Sequence, residues 1–251
     1  MFSILRQAGS SRLEERVAAQ YAMMADVPIA SVAFDALDDH AAELRRGSTL
    51  PVGSVEFVRK GMALAGIAEP ENLSYPQGLE PWLHRQVLRR PAGSVRGRCF
   101  VKPTTTKAFS GFVRDTAASL EGLTEHDRAQ YDTFEKLDPD TLIWVSAPVT
   151  WLSEVRYYVV DGAVLGEGRY DDGPDEMPLP DTEVVKAMVR AVALGPGAPA
   201  AFGLDVGVLE SGQTALIECN DAWALGYYRG TLGHRDYIEM LWRRWAQLAG
   251  A

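Results

Sequence analysis

The chain is poor in the features that define several large protein classes. It has only two cysteines in 251 residues, too few for a disulfide framework, and Cys99 and Cys219 each fall inside a strand-like run. Both read as small buried apolar residues of a reducing compartment. The four histidines (40, 84, 126 and 234) are scattered without ligand spacing, which excludes a zinc centre of the usual kind. No apolar run approaches about 18 residues, so no membrane span is expected. The N-terminal Met-Phe-Ser-Ile-Leu-Arg-Gln lacks the basic start and apolar stretch of a signal peptide, and a cytoplasmic protein is expected. Basic charge is scarce: a net charge of −9 argues against nucleic-acid binding by bulk electrostatics. Neither G-x-G-x-x-G nor G-x-x-x-x-G-K-[ST] occurs.

What is present is an acidic hairpin pattern near the C-terminus. Two apolar runs, Phe202–Glu210 and Gln213–Asp221, flank Ser211-Gly212, which reads as a two-residue turn. That turn sets Asp205 opposite Glu218 and Gly203 opposite Asn220. Glu218 and Asn220 then share a face with Asp205, while Leu204, Val206, Ile217 and Cys219 point to the other. Opposed carboxylates have Cβ atoms about 4.5–5.5 Å apart and repel. A hard cation between them would remove that cost, and Asn220 supplies a third oxygen, so Asp205, Glu218 and Asn220 form a candidate Mg²⁺ site. If the repulsion is unrelieved, Asp205→Asn should stabilise the ligand-free chain. An edge ribbon with a solvated polar face is the alternative.

The remaining pattern is α+β. Residues 1–68 read as a small Rossmann-like α/β unit: a strand at Phe2–Leu5, a helix opened by Ser11-Arg-Leu-Glu14, a strand at Ile29–Phe34, and a helix at Val55–Leu64. Residues 69–81, with three prolines, read as a linker. A helix is expected from Trp82 through Arg85 and Val87. A strand follows at Arg98–Pro103, then a Thr/Lys/Ser loop, a return strand from Gly111, a helix opened by Thr124-Glu-His-Asp127, and a strand at Leu142–Val145. Asp161-Gly162 turns a second hairpin that would set Glu154 opposite Arg169 and Arg156 opposite Glu167. Such a ladder is either two cross-strand ion pairs of about 0.2–1 kcal/mol each or one wall of a cleft. Amphipathic helices are expected at 181–193 and 234–248. Lys102, with Thr104-Thr-Thr-Lys107 and Ser110-Gly111 beside it, could hold phosphate oxygens, although lysine and threonine are also common in plain solvated loops.

The order of these parts resembles the ATP-grasp superfamily over roughly residues 82–232, and most specifically in Ile217-Glu-Cys-Asn-Asp-Ala-Trp-Ala-Leu-Gly226. It looks closest to a clade of short bacterial and phage ATP-grasp proteins. The resemblance implies two α+β subdomains, 82–146 and 147–251, clasping ATP, with the metal site in the second. By it, Asp205, Glu218 and Asn220 would bind Mg²⁺. Lys102 would contact the phosphates, and Lys107 would lie in the loop above them. Ser146, Ala147, Pro148, Val149 and Thr150 would form the hinge beside adenine, and Glu154 would hold the ribose. Arg156, Arg169 and Lys107 would act in catalysis, Arg169 by steering the acceptor carboxylate. The loop is poorer in glycine than in typical relatives, and Pro148 removes one hinge donor. The implied function is an ADP-forming ligase joining a carboxylate to an amine or thiol, its substrate a small molecule, peptide or protein. A resemblance to eukaryotic cell-division-cycle proteins that assist assembly of a translation initiation factor implies the alternative, an ATP-binding assembly or chaperone-like protein.

Overall fold

A computed structural model describes residues 2–10, 12–106, 108–117, 123–228 and 230–250. The chain opens with strand β1 (Ser3–Gln7), helix α1 (Leu13–Ala25), strand β2 (Ile29–Val32), the short helix α2 (Ala41–Leu44), strand β3 (Thr49–Val52) and helix α3 (Val55–Ala65). The three strands form a parallel sheet in the order β2-β1-β3. The run around Pro51 is thus a strand, where the sequence suggested only an approach to a helix. Pro51 is tolerated because β3 lies at the sheet edge. Ser54 caps α3 by accepting the Phe57 N–H at 3.2 Å, and Gly66, at φ 77°, ends it in the left-handed conformation only glycine adopts freely. The N-cap of α1 is Arg12, without a side-chain cap bond. Ser11, the expected cap, lies outside the described residues, and Glu14 is used elsewhere.

Residues Val87–Pro91 (β4), Arg98–Pro103 (β5), Phe112–Asp115 (β6) and Leu142–Ser146 (β7) make an antiparallel sheet in the order β4-β7-β5-β6, with helix α4 (Glu125–Glu135) between β6 and β7 in sequence. The helix expected from Trp82 is not there. Glu80–Trp82 makes one tight turn, and Val87–Pro91 pairs along β7 from Val87↔Ser146 to Pro91↔Leu142. Cross-strand pairing overrides the local pattern, and Pro91 falls harmlessly on an edge strand. The cap on α4 is as expected: Thr124 Oγ1 accepts the Asp127 N–H at 3.1 Å.

The third sheet holds the long hairpins β8 (Trp151–Val160)/β9 (Ala163–Arg169) and β10 (Ala201–Leu209)/β11 (Thr214–Asp221), in the order β11-β10-β8-β9. Helix α5 (Thr182–Ala193) covers one face, where Val185, Met188, Val189 and Val192 meet Phe202, Leu204, Val206 and Leu216. Helix α6 (His234–Ala249) packs Tyr237, Ile238, Leu241 and Trp245 between the first sheet and this one, in a core that includes Tyr158 and Ala201. The polar face of the sheet, bearing Arg156, Asp205 and Glu218, looks toward the β4-β7-β5-β6 sheet, whose Lys102 reaches it. Among the described residues no helix is long and apolar enough to cross a membrane.

Candidate nucleotide and metal site

A cleft of about 1000 Å³ lies between the second and third sheets. Its floor is built by register. Arg156 of β8 pairs with Asp205 of β10, which pairs with Glu218 of β11, so three ionisable side chains cross the sheet in one row. The Asp205–Glu218 pairing is the one expected, but the hairpin reaches it differently. The turn is a three-residue loop, Glu210-Ser211-Gly212, closed by the Leu209 N–H on the Gln213 carbonyl at 2.9 Å, with Gly212 at φ 83°. This shifts Val208 opposite Thr214 and Val206 opposite Leu216. A bulge at Ile217 then restores the register, so Asp205 faces Glu218 and Gly203 faces Asn220. The bulge turns Ile217 toward the cleft, which it lines, and not into the core where strict alternation put it.

The carboxylates do not stand in unrelieved repulsion. Arg156 grips Asp205 with two bonds, Nε to Oδ1 at 2.7 Å and a terminal nitrogen to Oδ2 at 2.6 Å. Asn220 Nδ2 donates to Asp205 Oδ2 and to Glu218 Oε1, both at 3.0 Å, and Lys102 Nζ meets Glu218 Oε2. Burial pushes the Lys102 ammonium down to about 8, against the pull of Asp205. Burial also works against the charge on Arg156, yet Asp205 outweighs it and raises that pKa. Tyr170 and Tyr228 stack with ring centroids 5.3 Å apart, and the Arg156 guanidinium lies 4.8 Å from the Tyr228 ring centre. Burial raises the Glu154 carboxyl and the Tyr170 hydroxyl, which hydrogen-bond each other.

Lys102, Ser146, Ala147, Pro148, Val149, Glu154, Arg156, Glu218 and Asn220 all line the cleft. Asp205 lies just beneath it, 1% exposed. Thr150 is outside the lining and uses its carbonyl to hold the Glu210 N–H at 3.0 Å. Lys107 lies outside the described residues. Around it, Thr105, Thr106 and Ala108 to Gly111 line the cleft, with Phe109 anchored among Phe112 and Phe134. Arg169 does not reach the cleft. The expected ladder of Glu154 with Arg169 and Arg156 with Glu167 is absent, because a bulge at Leu165 moves Arg169 opposite Val155 and Glu167 opposite Tyr157. Arg169 instead clamps Asp171 with two bonds of 2.7 and 2.6 Å and the Pro174 carbonyl at 2.6 Å.

Several cleft residues escaped the sequence reading. The proline-rich segment 69–81 is a wall of the site: Glu71, Asn72, Leu73, Ser74 and Tyr75 line it. The Ser74 carbonyl accepts the Cys219 N–H at 2.9 Å, and the Lys102 ammonium lies 5.5 Å from the Tyr75 ring centre. Arg85 reaches the Leu216 carbonyl at 3.0 Å and lies 5.4 Å from the Trp151 ring centre. Glu14 of α1 also lines the cleft and accepts the Tyr227 N–H at 3.1 Å. The clue to the segment was Asn-Leu-Ser-Tyr among the prolines, since Asn72 folds an Asx turn onto the Ser74 N–H at 2.8 Å. Cys99 and Cys219 are both free and buried.

Two antiparallel sheets facing each other across a cleft, with a lysine on one and an Asp/Glu/Asn floor on the other, define an ATP-grasp architecture. The chain belongs to that family: the profile of an ATP-grasp domain family, the third of its clade, matches residues 34–248. It is accordingly an ATP- and Mg²⁺-using enzyme of the ligase type. Among solved structures, D-alanine–D-alanine ligase from Bacillus anthracis complexed with ATP is similar at 13% identity and TM-score 0.55, covering 100% of this chain and 99% of that one. The ATP-grasp ligase PsnB complexed with a minimal precursor is similar at 14% identity and TM-score 0.51, covering 97% and 100%. N5-carboxyaminoimidazole synthase from Aspergillus clavatus, with ADP and its ribonucleotide, is similar at 10% identity and TM-score 0.54, covering 96% and 77%. These likenesses concern the fold. No curated protein matches the sequence.

Proposed function

We propose that the chain is an ADP-forming carboxylate ligase. A substrate carboxylate oxygen attacks the γ-phosphorus of ATP, the bond to the bridging oxygen breaks, and ADP leaves. An amine or thiol then attacks the acyl phosphate carbon and expels inorganic phosphate. The observation that carries this reading is the convergence of Lys102, Arg156, Asp205, Glu218 and Asn220 on one cleft floor.

The donor set fits magnesium. Asp205 and Glu218 offer hard carboxylate oxygens, and Asn220, within hydrogen-bond reach of both, offers a carbonyl oxygen if its amide turns over. These three would hold the ion, and when bound it would neutralise charge on the β- and γ-phosphates. Lys102 and Arg156 bear on the remaining phosphate charge, so catalysis here is positioning and charge neutralisation more than acid–base work. The carbonyls of Ser146 to Val149, with Trp151 and Ile217, suit a purine at the far end, and Glu154 suits its ribose. PsnB is described with a precursor peptide, so peptide carboxylates and amines belong among the substrates tested here.

Isothermal titration of Mg·ATP into wild type and Glu218→Gln, side by side, tests the reading. Micromolar binding abolished by the substitution, followed by ADP release with a carboxylate and an amine together, supports it. Binding without turnover by any pair, with a protein co-purifying, would favour the assembly role, and no binding by wild type would end the nucleotide reading.

A further inference from the structure

Arg59 belongs to α3 and does not line the cleft, yet its guanidinium touches three segments that do or that lead there. It pairs with Glu69 at the start of the proline-rich segment, Nε to Oε2 at 2.6 Å and a terminal nitrogen to Oε1 at 3.0 Å. The same terminal nitrogen donates to the Thr106 carbonyl of the loop between β5 and β6 at 3.4 Å. It also lies 5.8 Å from the ring centre of Trp223, the cleft residue that follows the metal hairpin. A parallel tie runs beside it: Asn72 Nδ2 donates to Thr106 Oγ1 at 3.4 Å while Asn72 Oδ1 holds Ser74. Thr106 is thus gripped at carbonyl and hydroxyl from outside its own sheet.

We propose that Arg59 is a positioning residue, a latch that holds the loop over the phosphate end of the cleft through the Thr106 carbonyl. An exposed ion pair contributes little to stability by itself. Only a fork of several N–H groups can satisfy Glu69 and a backbone carbonyl at once, which lysine's single ammonium does poorly. The latch keeps the loop in its binding position before nucleotide arrives, so its loss makes binding bear the cost of ordering the loop.

The test has two independent readouts, amide hydrogen exchange at Thr105, Thr106 and Ala108 without ligand, and Mg·ATP affinity. The second rests on the proposed function and the first does not. Arg59→Gln is expected to speed exchange at these amides and to weaken Mg·ATP binding by about five- to tenfold, with an unchanged melting temperature. The exchanged pair Arg59→Glu with Glu69→Arg can restore the ion pair, but a glutamate cannot donate to the Thr106 carbonyl. Exchange and affinity should therefore stay impaired in that double variant. Wild-type exchange in Arg59→Gln, or full recovery in the swapped pair, overturns the latch. If wild type itself does not bind Mg·ATP, faster exchange in Arg59→Gln still supports it and unchanged exchange still sinks it.

Discussion

Arg156 and Asp205 face each other across β8 and β10 and are joined by two short hydrogen bonds, both residues buried. The pair alters what Asp205 does in the ligand-free chain. From strand pairing alone, Asp205 and Glu218 repel, and neutralising one should stabilise. In the structure Arg156, Asn220 and Lys102 already answer both charges. Asp205→Asn would strand a buried guanidinium, a loss of about 3 kcal/mol. Denaturant unfolding of the apo protein should show it as a lower midpoint at unchanged slope. An apo variant as stable as wild type, or more so, would mean that the pair contributes nothing.

Much of the fold was readable because it rests on local signals: the caps at Ser54 and Thr124, Asp161-Gly162, and the apolar stripe of α6. The Asp205–Glu218 pairing was reached through two errors that cancel. The loop before it holds one residue more than a tight turn, and the bulge at Ile217 takes the extra residue back. At the neighbouring hairpin nothing cancels: Asp161-Gly162 does turn the chain, then the bulge at Leu165 shifts every residue beyond it, and the expected ladder dissolves. Period-two reasoning carries no information about where a strand bulges. The β4 strand and the wall at Asn72–Tyr75 were missed for another reason. Both are shaped by partners far away in sequence, Ser146 to Leu142 for one and Cys219 for the other.

Arg169, expected to steer substrate, is a clamp on the loop that follows β9, and that gives the protein an acid-labile contact. Its hydrogen bonds hold the Asp171 carboxyl well below the usual carboxylate value of 3.8. A carboxyl more acidic in the folded than in the unfolded chain stabilises the fold at any pH above its unfolded value. That contribution is lost as pH falls toward the folded value. Wild type should therefore exceed Arg169→Gln in stability at pH 7 and at pH 5, and the gap should narrow below about pH 3.8. A gap that is the same at pH 7 and pH 3 would show that the clamp works through packing, not charge.

The glycines of β9 set how closely the loop after the metal hairpin approaches Arg156. A Cβ on Gly168 would lie 1.8 Å from Thr231 Cγ2 and 2.6 Å from Thr231 Cβ. Thr231 in turn donates its hydroxyl to the Tyr228 carbonyl at 2.6 Å, and Tyr228 is the ring beside the Arg156 guanidinium. Gly168→Ala must displace this loop, at a cost of about 1–3 kcal/mol typical of overpacking. Thr231→Ser removes the methyl that clashes and keeps the hydroxyl, so Gly168→Ala with Thr231→Ser should recover part of the loss. Recovery in a double-mutant cycle would show that the two residues act through contact. Purely additive losses would mean that the loop finds its place without Gly168, and that Tyr228 is set over Arg156 by its other tie, the Tyr228 N–H on the Tyr158 hydroxyl at 3.0 Å.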